Sequence, residues 1–326
     1  MSDSSIDRRT ERLLPIRIVK RRRLVVWANI LPGEVEDPFM GQTLSRLAAD
    51  GVSEFATGID ELIYEGGMHP RVAPKCVIFH VSRCGSTLLS NALRSGDGVI
   101  GLSEAPILWD AVDSAECDHH SVKASPTNRP TAILDAVVRL YSARAKGRQA
   151  QVVIKTHPEN ARHMRIYRAA WPEVPFLVLI RKPDEVLASN LSRRAHWMQS
   201  RFDRLRLFPS EPQRPDDKTF CALSINEHME NLLRGLDDRS IVVDYSELSR
   251  EVIEELIRRC GLDEMIDRTR LITALATYSK DVRRSRPFTP APLIEESQYS
   301  DIPEKLQSTL QGNYAKLLSC QTRLIP

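Results

Sequence analysis

Cys76-Val-Ile-Phe-His-Val81, Ser82-Arg-Cys-Gly-Ser-Thr87 and Leu88-Leu-Ser-Asn-Ala-Leu-Arg94 follow one another without a break. The first run is apolar apart from His80 and reads as a strand covered on both faces. The second is a tight polar loop, and the third has the composition of a helix. Strand, loop and helix N-terminus together aim unpaired backbone N–H groups at one point, which makes an anion cradle. Gly85 lets the backbone approach a ligand, Ser86 and Thr87 add hydroxyls, and Arg83 adds a fixed positive charge. The plainer alternative is an ordinary strand–helix turn capped by a serine or threonine.

Outward from this unit, short β-branched or aliphatic runs alternate with longer helical stretches, the pattern of βαβ units. Strands are expected at Cys76 to Val81, Val99 to Leu102, Val152 to Ile154, Phe176 to Ile180 and Ile241 to Val243. The fold class implied is α/β, a P-loop-like three-layer fold with a central parallel sheet flanked by helices. Functional residues should collect at the carboxyl ends of the strands. Residues 1–70 read as an N-terminal extension on a core of residues 71–326. The extension holds a basic cluster, Lys20-Arg-Arg-Arg23, the apolar run Leu24-Val-Val-Trp27 and an amphipathic piece from Gln42 to Leu47. The basic cluster suits a solvated face beside a strand.

With 326 residues, 42% hydrophobic and 27% charged, the chain can bury a large core. A formal net charge of +3 is too small to argue for nucleic acid, so any anion site must be local. The apolar run Phe176 to Ile180 is far short of the roughly 20 residues that cross a bilayer, so no membrane partner is expected. The polar start Met1-Ser-Asp-Ser-Ser-Ile-Asp-Arg-Arg lacks a secretory apolar region, which points to the cytoplasm. Six scattered cysteines with no C-x-x-C pair read as reduced thiols. Cys84, inside the loop, could be a thiolate activated by the helix N-terminus, although Ser90 stands where a phosphatase-type arginine would follow.

A nucleoside triphosphate is the rival ligand for the loop. The Walker pattern is not met, because His80 stands five before Gly85 and Ser86 takes the lysine position. Ile241-Val-Val-Asp244 keeps the rival open as a strand ending in an acid able to hold Mg²⁺. Val152-Val-Ile-Lys155-Thr156-His157 delivers a cation and an imidazole to a strand end. His157 has the proton affinity of a general base near neutral pH, and Lys155 can stabilise charge that develops in transfer. Phe176-Leu-Val-Leu-Ile180-Arg181 is followed by Pro183 and then Ser189 on an emerging helix, where Arg181 and Ser189 could bridge a phosphate. A solvated strand end and a surface arginine are the plainer readings of these two segments.

Taken in order, these elements resemble the PAPS-dependent sulfotransferases, cytosolic and bacterial, which use 3′-phosphoadenylyl sulfate as donor. Arg83-Cys-Gly-Ser-Thr87 is similar to that family's 5′-phosphosulfate loop, Lys155-Thr-His157 to its K-T-H segment, and Arg181 with Ser189 to its 3′-phosphate motif. Asp244-Tyr-Ser-Glu-Leu248 is similar to its Y-E-D-L element. The resemblance implies PAPS as donor substrate with no metal. It implies catalytic His157, Lys155 and Arg83, and a donor site of Arg83, Cys84, Gly85, Ser86, Thr87, Arg181, Ser189 and Tyr245. Arg83 stands where cytosolic members have lysine, and Leu88 replaces an aromatic residue that stacks on adenine. The C-terminal R-K-G element is absent, and the basic stretch Lys280-Asp-Val-Arg-Arg-Ser-Arg286 supplies Arg283, Arg284 and Arg286 as candidates for the 3′-phosphate. The acceptor expected is a small hydroxylated or amino metabolite of specialised metabolism. Glu104-Ala-Pro106, Trp197 and Phe202 are its expected walls, and homodimerisation is left open. A kinase using Mg-ATP and a non-catalytic nucleotide-binding module are the alternative functions.

Overall fold

Residues 13–117, 128–145, 150–195, 198, 215–277, 279–280 and 301–325 are described by the structure, a computed structural model. The chain opens with β1 (Leu13–Val19) and β2 (Leu24–Asn29), paired antiparallel through the Lys20–Arg23 turn. Helix α1 (Met40–Ala49) leads to β3 (Glu54–Gly58), which pairs with β2 and completes a three-stranded sheet. Helix α2 (Ile59–Gly67) follows. Alternation explains this sheet only in part. Its β2 is buried along Val25 to Ala28, where Arg144 lies over the Trp27 ring and Thr57 accepts from the indole N–H at 2.8 Å.

The second sheet is parallel. It contains β4 (Cys76–His80), β5 (Val99–Ser103), β6 (Gln151–Lys155), β7 (Phe176–Ile180) and β8 (Ser240–Asp244), in the spatial order β5-β6-β4-β7-β8. All five expected strands are present, with no end moved by more than one residue. Every residue of β4 and β7 is buried, as a strand covered on both faces requires. Its connections carry α3 (Ser86–Leu93), α4 (Pro106–Cys117), α5 (Asn128–Ala143), α6 (Met164–Ala170), α7 (Pro183–Ser192) and α8 (Asp217–Gly235). After β8 come α9 (Arg250–Arg259), α10 (Arg268–Ala276) and α11 (Glu304–Ser319), the last packed on β7 and β8. The fold is thus the expected central parallel sheet flanked by helices.

Local chemistry starts these helices. Asp216 caps α8 by accepting from the N–H groups of Lys218 and Thr219, both at 2.8 Å, Ser249 caps α9, and Pro183 opens α7. Beneath the sheet's carboxyl edge, Phe79 meets Tyr167 edge-on at 5.4 Å and Phe176 at 5.0 Å. Such contacts add about 0.5–1.5 kcal/mol each beyond burial and hold β4, β7 and α6 as one platform.

The first sheet is welded to the second through α4 and α5. Asp110 accepts from the Ile18 N–H at 2.9 Å, Lys20 forms a short ion pair with Asp113, and the Tyr141 hydroxyl donates to the Pro15 carbonyl at 3.1 Å. Lys20 therefore leaves the solvated face expected for the basic cluster and reaches the core helices. Among the described residues no helix is long and apolar enough to cross a membrane.

Candidate active site

Register decides what meets at the carboxyl edge of the parallel sheet. Ser103 pairs with Lys155, Ile78 with Lys155, and Ile180 with Asp244. The residues that follow these positions are therefore gathered on one side: Ser82 to Thr87, Glu104, Thr156 and His157, Arg181, and Tyr245.

The loop after β4 is bent by left-handed backbone. Ser82 has φ 77°, Arg83 φ 52° and Gly85 φ 79°. Each non-glycine residue in this region costs about 1–2 kcal/mol, so the conformation persists only because its surroundings impose it. The bend, with the helix N-terminus behind it, is suited to an anion-binding nest made by the N–H groups that follow Ser82, whose own N–H is bonded to His80 Nδ1 at 3.1 Å. Gly85 is required sterically as well, because a Cβ there would lie 2.6 Å from Leu248 Cδ2 and 3.1 Å from the Tyr245 ring. The helix begins at Ser86, two residues earlier than its composition suggests, so Ser86 and Thr87 contribute the free N–H groups of its first turn.

Two members of the loop are held in ways that the sequence does not show. Cys84 is fully buried, and burial pushes its thiol up to about 11, which overturns an activated thiolate at this position. Arg83 is anchored sideways. Its Nε donates to Asn190 Oδ1 at 3.1 Å, and its Nη2 makes a short bond to the Arg193 carbonyl. Asn190, fully buried beside Ser189 on α7, was not anticipated, and nothing in its local sequence marks it.

Lys155 ends β6 with 1% exposure and forms a short ion pair with Glu104. The Phe39 ring lies 5.0 Å from Lys155 Nζ, so the N-terminal layer reaches the site. Glu104 follows β5 with φ 49°, a left-handed conformation that turns its carboxylate toward Lys155. Burial pushes the Glu104 carboxyl up, but Lys155, His157 and Lys280 outweigh it and hold the group below its ordinary range. His157 is half-buried, with its ring edge-on to Trp109 at 5.3 Å. Glu104, Leu108, Trp109, Lys155 and His157 line a narrow cleft of about 10 Å³, room for one water. Of the expected acceptor walls, Glu104 and Ala105 lie on this cleft, while Trp197 and Phe202 are outside the described residues.

Arg181 follows β7. Its Nη1 donates to the Arg83 carbonyl at 2.8 Å, its Nε donates to Glu185 at 2.7 Å, and its guanidinium lies 4.3 Å from the centre of the Tyr245 ring. Arg181 and Tyr245 are thus brought against the loop. Ser189, two turns along α7, is half-buried next to Asn190, and Arg181 bonds with Glu185 on that helix instead. Arg283, Arg284 and Arg286 lie outside the described residues.

Lys280, from the same basic stretch, does belong to the site. Burial lowers its pKa to about 7, with Arg83 and Lys155 pushing the same way and Glu104 opposing them. A lysine depressed chiefly by burial, with other cations adding to the effect, is a candidate functional group. The Asn91 side chain fixes this segment by donating to the Ser279 carbonyl at 2.8 Å.

Two further histidines, His80 and His228, are buried near the site. Burial, aided by His157 and Arg162, lowers His228 to about 3, so it is neutral. Asp244, the candidate magnesium acid, has its carboxylate engaged. Oδ1 accepts from the Ser246 N–H at 2.9 Å and from its hydroxyl, and Oδ2 accepts from the Tyr314 hydroxyl at 2.8 Å.

Neither a family model nor a curated protein matches this chain. Solved structures do. A sulfotransferase domain from the curacin biosynthetic pathway aligns at 15% identity and a TM-score of 0.45, over 76% of this chain and 99% of that one. A sulfotransferase from Alicyclobacillus acidocaldarius aligns at 13% identity and a TM-score of 0.43, over 77% and 98%. One from Mycobacterium avium aligns at 13% identity and a TM-score of 0.46, over 80% and 81%. All three are sulfotransferases or sulfotransferase domains, the family whose motifs this sequence resembles.

Proposed function

We propose that this chain is a sulfotransferase that moves a sulfuryl group from PAPS to a hydroxyl or amine of a small-molecule acceptor. One observation carries the reading: an anion nest, a cation cluster of Arg83, Lys155 and Lys280, and the candidate base His157 share one carboxyl edge. The residues present fit the donor. Gly85 lets the loop pack closely against Leu248 and the Tyr245 ring, where a Cβ would collide, and Lys280 adds a cation whose charge a bound anion would stabilise. The donor, when bound, supplies the activated sulfuryl group.

The chain's own part is proton handling and charge. His157, on the cleft, takes the acceptor's proton. Lys155, Arg83 and the loop N–H groups stabilise charge on the departing side, and burial of Lys155 strengthens its effect. Arg181, stacked on Tyr245 and bound to the loop's backbone, is suited to the nucleotide end. Glu104 is a second candidate base, favoured by its place on the cleft. Its ion pair with Lys155 and its lowered pKa make it the weaker proton acceptor.

The kinase reading depends on Asp244 holding magnesium, and that carboxylate is already shared between Ser246 and Tyr314. Calorimetry decides between the two. Tight binding of adenosine 3′,5′-bisphosphate without magnesium is expected, and magnesium-dependent ATP binding with no bisphosphate binding would overturn the proposal. An acceptor screen with labelled PAPS then tests turnover. His157→Ala should abolish transfer and spare bisphosphate binding, whereas loss in Glu104→Gln alone moves the base to Glu104. Wild-type protein that binds the bisphosphate but transfers to no acceptor is a binding module.

A further inference from the structure

His80 is the last residue of β4 and 3% exposed, an expensive place for an imidazole unless both ring nitrogens are bonded. Both are. Its Nδ1 accepts from the Ser82 N–H at 3.1 Å, so the proton resides on Nε2, which donates to the Thr156 carbonyl at 2.9 Å. Glu104 Oε1 lies 4.0 Å from Nε2, outside hydrogen-bond distance, so Thr156 is the partner. Burial, reinforced by Lys155, holds the ring neutral.

The two partners belong to different parts of the site. Ser82 is the first residue of the anion loop and has left-handed backbone. Thr156 stands between Lys155 and His157. The β4–β6 ladder ends where Ile78 pairs with Lys155, and Thr156 closes it by donating its N–H to the Ile78 carbonyl at 3.0 Å and its hydroxyl to the same oxygen at 2.9 Å. Two residues further along β4, an imidazole bridges the two segments. No aliphatic residue could satisfy both the Ser82 amide and the Thr156 carbonyl. A strand end and a loop under backbone strain are thus spaced by one rigid ring.

We propose that His80 is a positioning residue that sets the anion loop against the strand end carrying Lys155 and His157. Its part in transfer rests on the sulfotransferase reading, whereas the link between loop and strand does not. The rival is a buried histidine that only fills the core, in which case every substitution acts through stability alone.

Two substitutions separate the ring's ends. In His80→Asn the amide oxygen replaces Nδ1 and the bond to Thr156 is lost. In His80→Gln the longer amide replaces Nε2 and the acceptor for Ser82 is lost. Amide exchange in the unliganded protein reads the link. Ser82 should exchange about tenfold faster or more in His80→Gln and stay protected in His80→Asn, as expected for one hydrogen bond. Equal Ser82 protection in wild type and both variants, or equal loss in both variants, overturns the proposal.

Kinetics read the consequence. His80→Asn should lower kcat about tenfold with bisphosphate affinity within about threefold of wild type, and His80→Gln should do the reverse. Parallel losses in both parameters would reduce His80 to a core residue. Wild-type protein that binds no bisphosphate would overturn the functional reading, with the exchange pattern still deciding the link.

Discussion

Lys280 makes the cation cluster measurable. Its pKa of about 7 arises from burial and from Arg83 and Lys155, with Arg193 adding to them and Glu104 opposing. An anion bound among these groups reverses the second cause and draws the lysine back toward its ordinary value of about 10.4. The sign follows directly. The bound state holds the proton more tightly than the free state, so binding takes up a proton, is favoured below pH 7, and weakens as pH rises.

Free Lys280 is protonated to about one tenth at pH 8 and about one half at pH 7, and nearly fully at pH 6. Burial, the larger cause, persists in the bound state, so the return is partial and the full-return figures are upper limits. They are an uptake on binding adenosine 3′,5′-bisphosphate of at most about 0.9 proton at pH 8, about 0.5 at pH 7 and about 0.1 at pH 6, and a fall in affinity of at most about fifty-fold between pH 7 and pH 9. Calorimetry in buffers of different ionisation enthalpy reads the uptake. Lys280→Met supplies the control, because the ligand's own titration is common to both proteins. The variant should bind more weakly at pH 6 and lack the extra uptake. Identical uptake in wild type and variant, or proton release in the wild type, would refute the placement of Lys280 against the anion.

Three other outcomes follow from the geometry. Gly85→Ala combines left-handed strain of about 1–2 kcal/mol with displacement of Leu248, and should weaken bisphosphate binding at least tenfold. Adding Leu248→Ala should restore part of that loss, and strict additivity in calorimetric affinities would show that the contact does not matter. Lys155→Met strands the Glu104 carboxylate. Because Glu104 keeps some contact with solvent, the cost should be near the lower end for broken buried pairs, about 3 kcal/mol, read as a fall of about 5 °C or more in Tm and partly recovered by Glu104→Gln. Trp109→Ala removes the edge contact on His157 and one wall of the cleft. It should raise the acceptor KM about two- to twelve-fold while bisphosphate affinity stays unchanged, and an equal effect on both ligands would move Trp109 out of the acceptor side.

The parallel sheet could be read from sequence because its signal is local. Phe176 to Ile180 is an uninterrupted apolar run and Cys76 to Val81 is apolar but for His80, both between turn residues, and runs of that length buried on both faces have few other structures open to them. The N-terminal layer was only partly legible for the opposite reason. Leu13 to Val19 contains a proline and an arginine and pairs irregularly between Pro15 and Arg17, so it shows no clean alternation. What makes it a strand is its partner, Leu24 to Asn29, and its own burial against α4 and α5.

The same distinction divides the site. Arg83, Lys155, His157 and Arg181 could be singled out because each ends or follows a strand, and an open parallel sheet gathers such positions whatever the intervening sequence. The pairings that tune them were not legible because the partners are remote in the chain. Glu104 meets Lys155 across 51 positions, His80 meets Thr156 across 76, and Arg83 meets Asn190 across 107. Spacing cannot reveal such pairs, but residue type against burial can. A histidine at the end of an apolar strand, an asparagine inside a helix's buried face and a glutamate straight after a strand each require a partner that local sequence does not supply. His80 was the most conspicuous of these from the beginning, the one polar residue in the run that decides the fold. The strand tolerates it because its two bonds are made to the functional segments on either side.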